Sequence, residues 1–241
     1  MARHISRKDL KRNELRETLT HGAEAVAAHK RLTWIVGGLA LALLAGILGW
    51  RFYSQRMTAR ANAAMGEAMK VYNARIRTPS EVAFPGEVTY VDEKNKFTDA
   101  AKQFGDIAGQ YPRTRPGRMA RYYAAVSLAQ LDRHSEAEME LSAIESSGDD
   151  ILAPLARLQL AQIYSETNRA DEALRLYQQL ADNPSIFTPR AMVLLKMADQ
   201  QAKTNPEEAA KLYNQIKTEF PDTQSAQQAD QGLQLLPPSR T

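Results

Sequence analysis

The stretch KFTDAAKQFGDIAGQYP, Lys96 to Pro112, decides how the chain folds. Ala100 is followed four residues later by Phe104, and Pro112 stands twelve residues after the alanine. The same A-x-x-x-aromatic unit returns as Ala173 with Tyr177 in DEALRLYQQL and as Ala209 with Tyr213 in EEAAKLYNQI. Ala137 with Leu141 in SEAEMELSAI is a weaker copy, and the intervals between alanines are 37, 36 and 36 residues. A four-residue separation puts both members of a unit on one helix face, and four copies at so even a spacing define a repeat.

Each unit is preceded by a second helical stretch. Pro116 to Leu131 supplies Ala125, Ala153 to Thr167 supplies Ala161 and Tyr164, and Thr188 to Lys203 supplies Leu194 and Ala198. Asp132-Arg133, Asn168-Arg169 and Thr204-Asn205 form the short turns between paired helices. Pro116 and Pro189 suit a helix's first turn, and Pro206 opens the last second helix. An alanine in each helix lets two backbones come close, the aromatic fills the gap toward the next pair, and a proline ends the second helix. Pro221 keeps the twelve-residue offset, Pro184 falls one short, and Asp149 takes that place in the second copy, where Asp149-Asp150 is expected to cap the next helix.

These copies resemble tetratricopeptide repeats, whose pattern carries a small residue in each helix, an aromatic four residues after the second, and a closing proline. No Trp stands near the start of any copy and Met197 occupies a small-residue position, so the match is to a degenerate branch. The resemblance implies a helical-hairpin solenoid with a polar capping helix within Phe220 to Thr241, and with the apolar run upstream the expected fold is all-α, one transmembrane helix followed by that solenoid. It also implies a partner-binding face on the first helices. The family's inward positions, carried into this register, fall on Met119, Tyr122, Val126 and Gln130, then Leu158, Gln162 and Glu166, then Leu194 and Gln201.

Upstream, LTWIVGGLALALLAGILGW from Leu32 to Trp50 holds no charged residue, and as a helix it measures about 28 Å, close to a bilayer's hydrocarbon core. Lys30, Arg31 and Arg51 bracket it, with Trp34, Trp50, Phe52 and Tyr53 at headgroup positions. A secretory signal is not expected, because the run is long, thirty-one residues precede it, and no small-x-small cleavage site follows Trp50. Gly38, Ala42 and Gly46 recur every four residues and mark a face where another membrane helix could pack. The apolar pattern continues as Met57, Ala61, Ala64, Ala68 and Tyr72, so the helix is expected to run on. Arg77 to Asp92, with Pro79, Pro85 and Gly86, reads as an irregular insertion with room for a strand at Glu87 to Val91.

The resulting division is a basic cytoplasmic tail over 1–31, a transmembrane helix over 32–53, a connector helix and insertion over 54–92, repeats over 93–236 and a disordered end over 237–241. The tail carries eight cations against four acids and is read as a helix from Ser6 to Ala28 lying beside anionic lipid headgroups, with a docking segment for a cytoplasmic partner as the alternative. That bias places the amino terminus in the cytoplasm and the repeats outside it. Beyond the tail 23 basic and 24 acidic residues nearly cancel, which removes the phosphate-neutralising charge that nucleic-acid binding needs.

Catalytic chemistry is not expected. His134 is the single histidine after the apolar run and sits in a predicted turn. His21 and His29 have no cysteine near them, since the chain has none, and no Gly-rich phosphate loop, H-E-x-x-H or EF-hand series occurs, so no cofactor or metal is expected.

The layout of basic tail, single span, outward helix and compact array, with motifs such as FGDIAGQYP and EEAAKLYNQIKTEFPDT, is similar to the ancillary subunit family of the bacterial Sec translocon. That likeness implies an inner-membrane protein whose periplasmic repeats bind translocon subunits, periplasmic chaperones or emerging secreted chains. The alternative is a structural or oligomeric envelope scaffold, active in envelope assembly or cell-division coordination, that self-associates through Gly38, Ala42 and Gly46.

Overall fold

The computed structural model describes residues 30–237. The expectations for the basic tail, including its helix, and for the end beyond Pro237 lie outside these residues. Among the described residues the fold is all-α apart from one small ribbon. Helix α1 spans Lys30–Tyr72, and the chain divides into two units at Arg56, within it.

In the first unit every residue from Trp34 to Tyr53 belongs to α1 and is exposed, Trp34 at 82 % and Leu41 at 70 %. A soluble protein's core helix with this composition would be covered. This one is long and apolar enough to cross a membrane, and by length and composition alone it also fits a signal sequence.

The second unit, from Met57, begins with the rest of α1, where Ala61 and Ala68 are fully buried, Val71 is buried, and Met57, Ala64 and Tyr72 are half-buried. Strands β1 (Arg75–Ile76) and β2 (Thr89–Tyr90) then pair in parallel, closing the insertion. Arg75 forms ion pairs with Glu81 and Glu87, and Arg77 donates to the Thr89 hydroxyl at 3.1 Å and the Glu81 carbonyl at 2.8 Å. Tyr90 donates to Asp99 at 2.8 Å, tying β2 to the next helix.

Eight helices follow: α2 (Glu93–Gln110), α3 (Arg115–Ala129), α4 (His134–Glu145), α5 (Leu152–Glu166), α6 (Ala170–Asp182), α7 (Arg190–Ala202), α8 (Pro206–Glu219) and α9 (Gln224–Leu235). Each packs on the next, and α3 also meets α5, while α9 closes the array against α7 and α8. The repeat alanines Ala100, Ala137, Ala173 and Ala209 have no accessible surface, and their partners Phe104, Leu141, Tyr177 and Tyr213 are at most 3 % exposed. Ala125, Ala161 and Ala198 in the first helices are equally covered. Around these positions lie three clusters, one joining α1, α2 and α3, one α3, α4 and α5, and one the helices from α5 onward.

The turns follow from side-chain chemistry. Asp132 and Asn168, one repeat apart, adopt φ of 57° and 60°, a left-handed conformation that short polar side chains tolerate best after glycine. The α2–α3 and α8–α9 links share one device: the Thr114 and Thr223 hydroxyls donate to the Tyr111 and Phe220 carbonyls and accept from the Gly117 and Ala226 amides. Asp149 caps α5 by accepting from the Ile151 and Leu152 amides. Pro189 departs from expectation. It is the residue before α7, with ψ at 140°, because a Ser185–Thr188 hydrogen-bonded turn occupies the approach and the helix starts at Arg190.

Gly117 has to be glycine, since a Cβ there would stand 1.9 Å from the Tyr111 carbonyl oxygen. A Cβ on Gly105, in the middle of α2, would meet nothing within 4 Å. Gly117→Ala should therefore lower stability by about 1–3 kcal/mol, as overpacking does, while Gly105→Ala should raise it by up to about 1 kcal/mol through helix propensity. Thermal unfolding of the two full-length variants, followed by circular dichroism, checks the opposite signs.

Candidate functional site

The first helices and the end of α1 enclose a groove in the second unit with two joined lobes. One lobe, about 510 Å³, is lined by Thr58, Asn62, Met65 and Met69 of α1 and by Arg115, Pro116, Met119 and Tyr123 of α3. The other, about 430 Å³, is walled by Tyr72, by Met119, Tyr122, Tyr123 and Val126 of α3, and by Ile151, Leu152, Leu155 and Gln159 beside or within α5. Arg115, Met119 and Tyr123 belong to both.

An aromatic cluster stiffens the wall between the lobes. Tyr72 meets Phe97, Phe104 and Tyr123 edge-on with ring centroids 5.8, 6.0 and 5.4 Å apart, Phe104 and Tyr123 stack at 5.3 Å, and Tyr122 lies edge-on to Tyr123 at 5.5 Å. Edge-to-face and offset pairs of this kind add about 0.5–1.5 kcal/mol beyond their buried area, so the rings are fixed while the methionines opposite stay adaptable. Burial, with smaller contributions from Tyr123 and Tyr72, pushes the Tyr122 phenol up to about 12.

The far wall includes Phe187, which reaches the second lobe from the α6–α7 link. Its loop is ordered by Ser185: the hydroxyl accepts from the Phe187 and Thr188 amides, and the Ser185 and Thr188 hydroxyls share a 2.8 Å hydrogen bond. Phe187 stays 44 % exposed and Ile186 beside it 86 %.

The positions inferred from the sequence fall into three groups. Met119, Tyr122 and Val126 line the groove together. Gln130, Gln162 and Glu166 are exposed outside it, with Gln162 donating to Glu166 at 3.1 Å, and Gln201 is half-buried in α7. Leu194 is buried in the third cluster and Leu158 packs against the same cluster. Arg115, Leu155, Gln159 and Phe187 are wall residues that the sequence reasoning did not name. One repeat beyond Met119 and Tyr123, 36 residues on, stand Leu155 and Gln159, so the period itself could have found them. In the first unit Gly38, Ala42 and Gly46 are exposed along α1.

A larger cleft of about 640 Å³ lies where α2, α3 and α4 meet, over Ala101, Gly105, Ala108 and Gly109. Its charged rim is already satisfied within the protein, with Arg121 on Glu140 at 2.5 Å and Arg133 on Glu136 at 2.6 Å, and it lacks the aromatic walls of the groove. Among the described residues no group of three or more His, Asp or Glu side chains is placed to hold a metal ion. His134 opens α4 with Nε2 3.7 Å from the exposed Asp132 carboxylate, and its buried Nδ1 has no hydrogen-bond partner among the described residues.

Paired helices of this length and spacing define a class of repeat proteins that present side chains to other polypeptides. Residues 29–190 match the tetratricopeptide repeat-like domain family and residues 192–223 match the tetratricopeptide repeat. The chain belongs to the tetratricopeptide repeat-like domain family, and the matched stretch takes in the apolar helix as well as the hairpins. No curated protein and no solved structure matches it.

Tyr122 offers a check on the groove's wall. A phenol raised from 10.0 to about 12 favours the folded state fully below pH 10, and that contribution is lost as pH rises from 10 to 12. Tyr122→Phe should leave stability near neutral pH within about 0.5 kcal/mol and make the alkaline decline shallower, as read by urea unfolding across that window.

Proposed function

We propose that this protein is a membrane-anchored polypeptide-binding module that holds extended segments of other proteins in the groove between α1, α3 and α5. The observation that carries this reading is the pair of joined apolar lobes with rigid aromatic walls and three flexible methionines, Met65, Met69 and Met119. Such a surface suits varied apolar side chains and sets no demand for one shape. The apolar stretch of α1 acts as the anchor, with the basic tail in the cytoplasm against anionic lipid and the repeats on the other side of a bacterial inner membrane. The layout that resembles the ancillary Sec translocon subunit supports translocon subunits, periplasmic chaperones or emerging secreted chains as the polypeptides held. The helical array supports an interaction role and not catalysis.

A photo-crosslinking amino acid at Tyr122 in the full-length protein, activated in native membranes, is expected to capture translocon subunits, chaperones or secreted chains. The same probe at Met139, 67 % exposed on α4 and away from the groove, is expected to capture none of them. Equal capture from both positions, or none from Tyr122, would remove the groove from the account.

An envelope scaffold is favoured by one feature of the first unit, a shallow depression over Ala42 and Gly46 edged by Leu39, Leu43, Ile47 and Trp50. Small residues there leave room for a second helix backbone. Gly46→Leu should leave crosslinking from Tyr122 unchanged if the module acts as proposed. If the scaffold is the function, it should instead dissolve an oligomer seen by light scattering in detergent.

A further inference from the structure

The groove's electrostatics are one-sided. Arg115 stands at the junction of the two lobes, on the first residue of α3, and among the described residues none of the ion pairs involves it. The only carboxylate in either wall is Asp149. Its Oδ1 accepts from the Ile151 and Leu152 amides, and its Oδ2 takes the Arg118 Nε at 3.2 Å. Arg118 is thus neutralised and Asp149 is fully engaged, while the first turn of α3 contains no acidic residue. Among the described residues, what remains is one exposed guanidinium without an ion-pair partner between a methionine-lined lobe and an aromatic one.

We propose that the segment held in the groove carries an acidic side chain flanked by large apolar ones, with Arg115 taking the carboxylate and the two lobes taking the apolar neighbours. This rests on the reading of the groove as a polypeptide-binding site and adds to it the class of sequence bound. A guanidinium offers a planar fork of donors that matches a carboxylate, and apolar contacts on both sides exclude water and strengthen that pair. A basic or purely apolar segment leaves the cation without a counter-charge in the same place. Selectivity comes from the charge, and tolerance from the lobes.

Two fluorescein-labelled peptides, Gly-Ser-Leu-Phe-Asp-Leu-Phe-Ser-Gly and its Asp→Asn counterpart, test this against the full-length protein in neutral-lipid nanodiscs. Anisotropy titration at low salt is expected to show the acidic peptide binding about tenfold tighter, with the preference shrinking as salt rises. Arg115→Gln should bind both peptides at the weaker level. It should keep its thermal unfolding midpoint, because losing a cation from a helix amino terminus does not weaken the helix. Arg115→Glu should reverse the preference in favour of a Lys-containing peptide of the same frame. Equal binding of the first two peptides to the native protein, or a preference that survives Arg115→Gln, overturns the acidic class while leaving the groove standing. Binding of neither peptide, together with no capture from Tyr122, sinks the groove and this inference with it.

Discussion

The contact on which the architecture depends is the close approach of paired helices across alanines that have no exposed surface. Ala100, Ala137, Ala173 and Ala209 are fully buried in the clusters that join neighbouring helices, where a larger side chain would press two backbones apart. The residue four positions on then fills the space that the short side chain leaves. Because one such pair holds each step, stability is distributed along the array, and each cluster of the core gathers a run of consecutive helices. The turns add little energy but fix direction, which is why Asp132 and Asn168 recur one repeat apart with the same left-handed backbone.

This explains what could be read from the sequence. A period of 36 or 37 residues with a fixed alanine is a packing constraint written directly into the chain, and it specified the helices and their pairing, while the links within pairs run to three or four residues in place of two. The caps in YPRT and FPDT are local hydrogen bonds, and the repeated Pro-x-Thr spacing is the trace they leave in the chain. What was not legible depends on contacts distant in sequence. Met197 stands where a small residue was expected, yet it is buried at 8 % beside fully covered Ala198, so the close approach simply uses the next residue. The β1–β2 ribbon joins residues on either side of a loop through Arg75 and Arg77, and nothing local in the sequence announces that pairing.

The site was less legible than the fold, and the reason is geometric. Carrying one set of inward positions from repeat to repeat treats every first helix alike, whereas the groove exists at one place, between α1, α3 and α5. Hence Met119, Tyr122 and Val126 line it, Leu194 is in the core, and Gln162 and Glu166 face solvent. Phe187 could not have been found by register at all. It belongs to an inter-hairpin link several residues longer than YPRT or FPDT, and only folding brings that link to the wall of the second lobe.

The groove is therefore not a property that the repeats confer by themselves. Half of its first lobe comes from Thr58, Asn62, Met65 and Met69, on the segment of α1 that precedes every recognisable copy of the repeat. That segment fills the role of a first helix, with Ala61 and Ala68 buried as Ala125 and Ala161 are in later pairs, but its partner α2 arrives only after the long insertion. Within that insertion Arg75 pairs with Glu81 and Glu87 and the β1–β2 ribbon brings its two ends together before α2 begins. The groove accordingly lies within the second unit, where the last turns of α1 come beside α3 and α5. The methionines there can adapt beside the fixed rings, while the alanines that hold the fold stay buried.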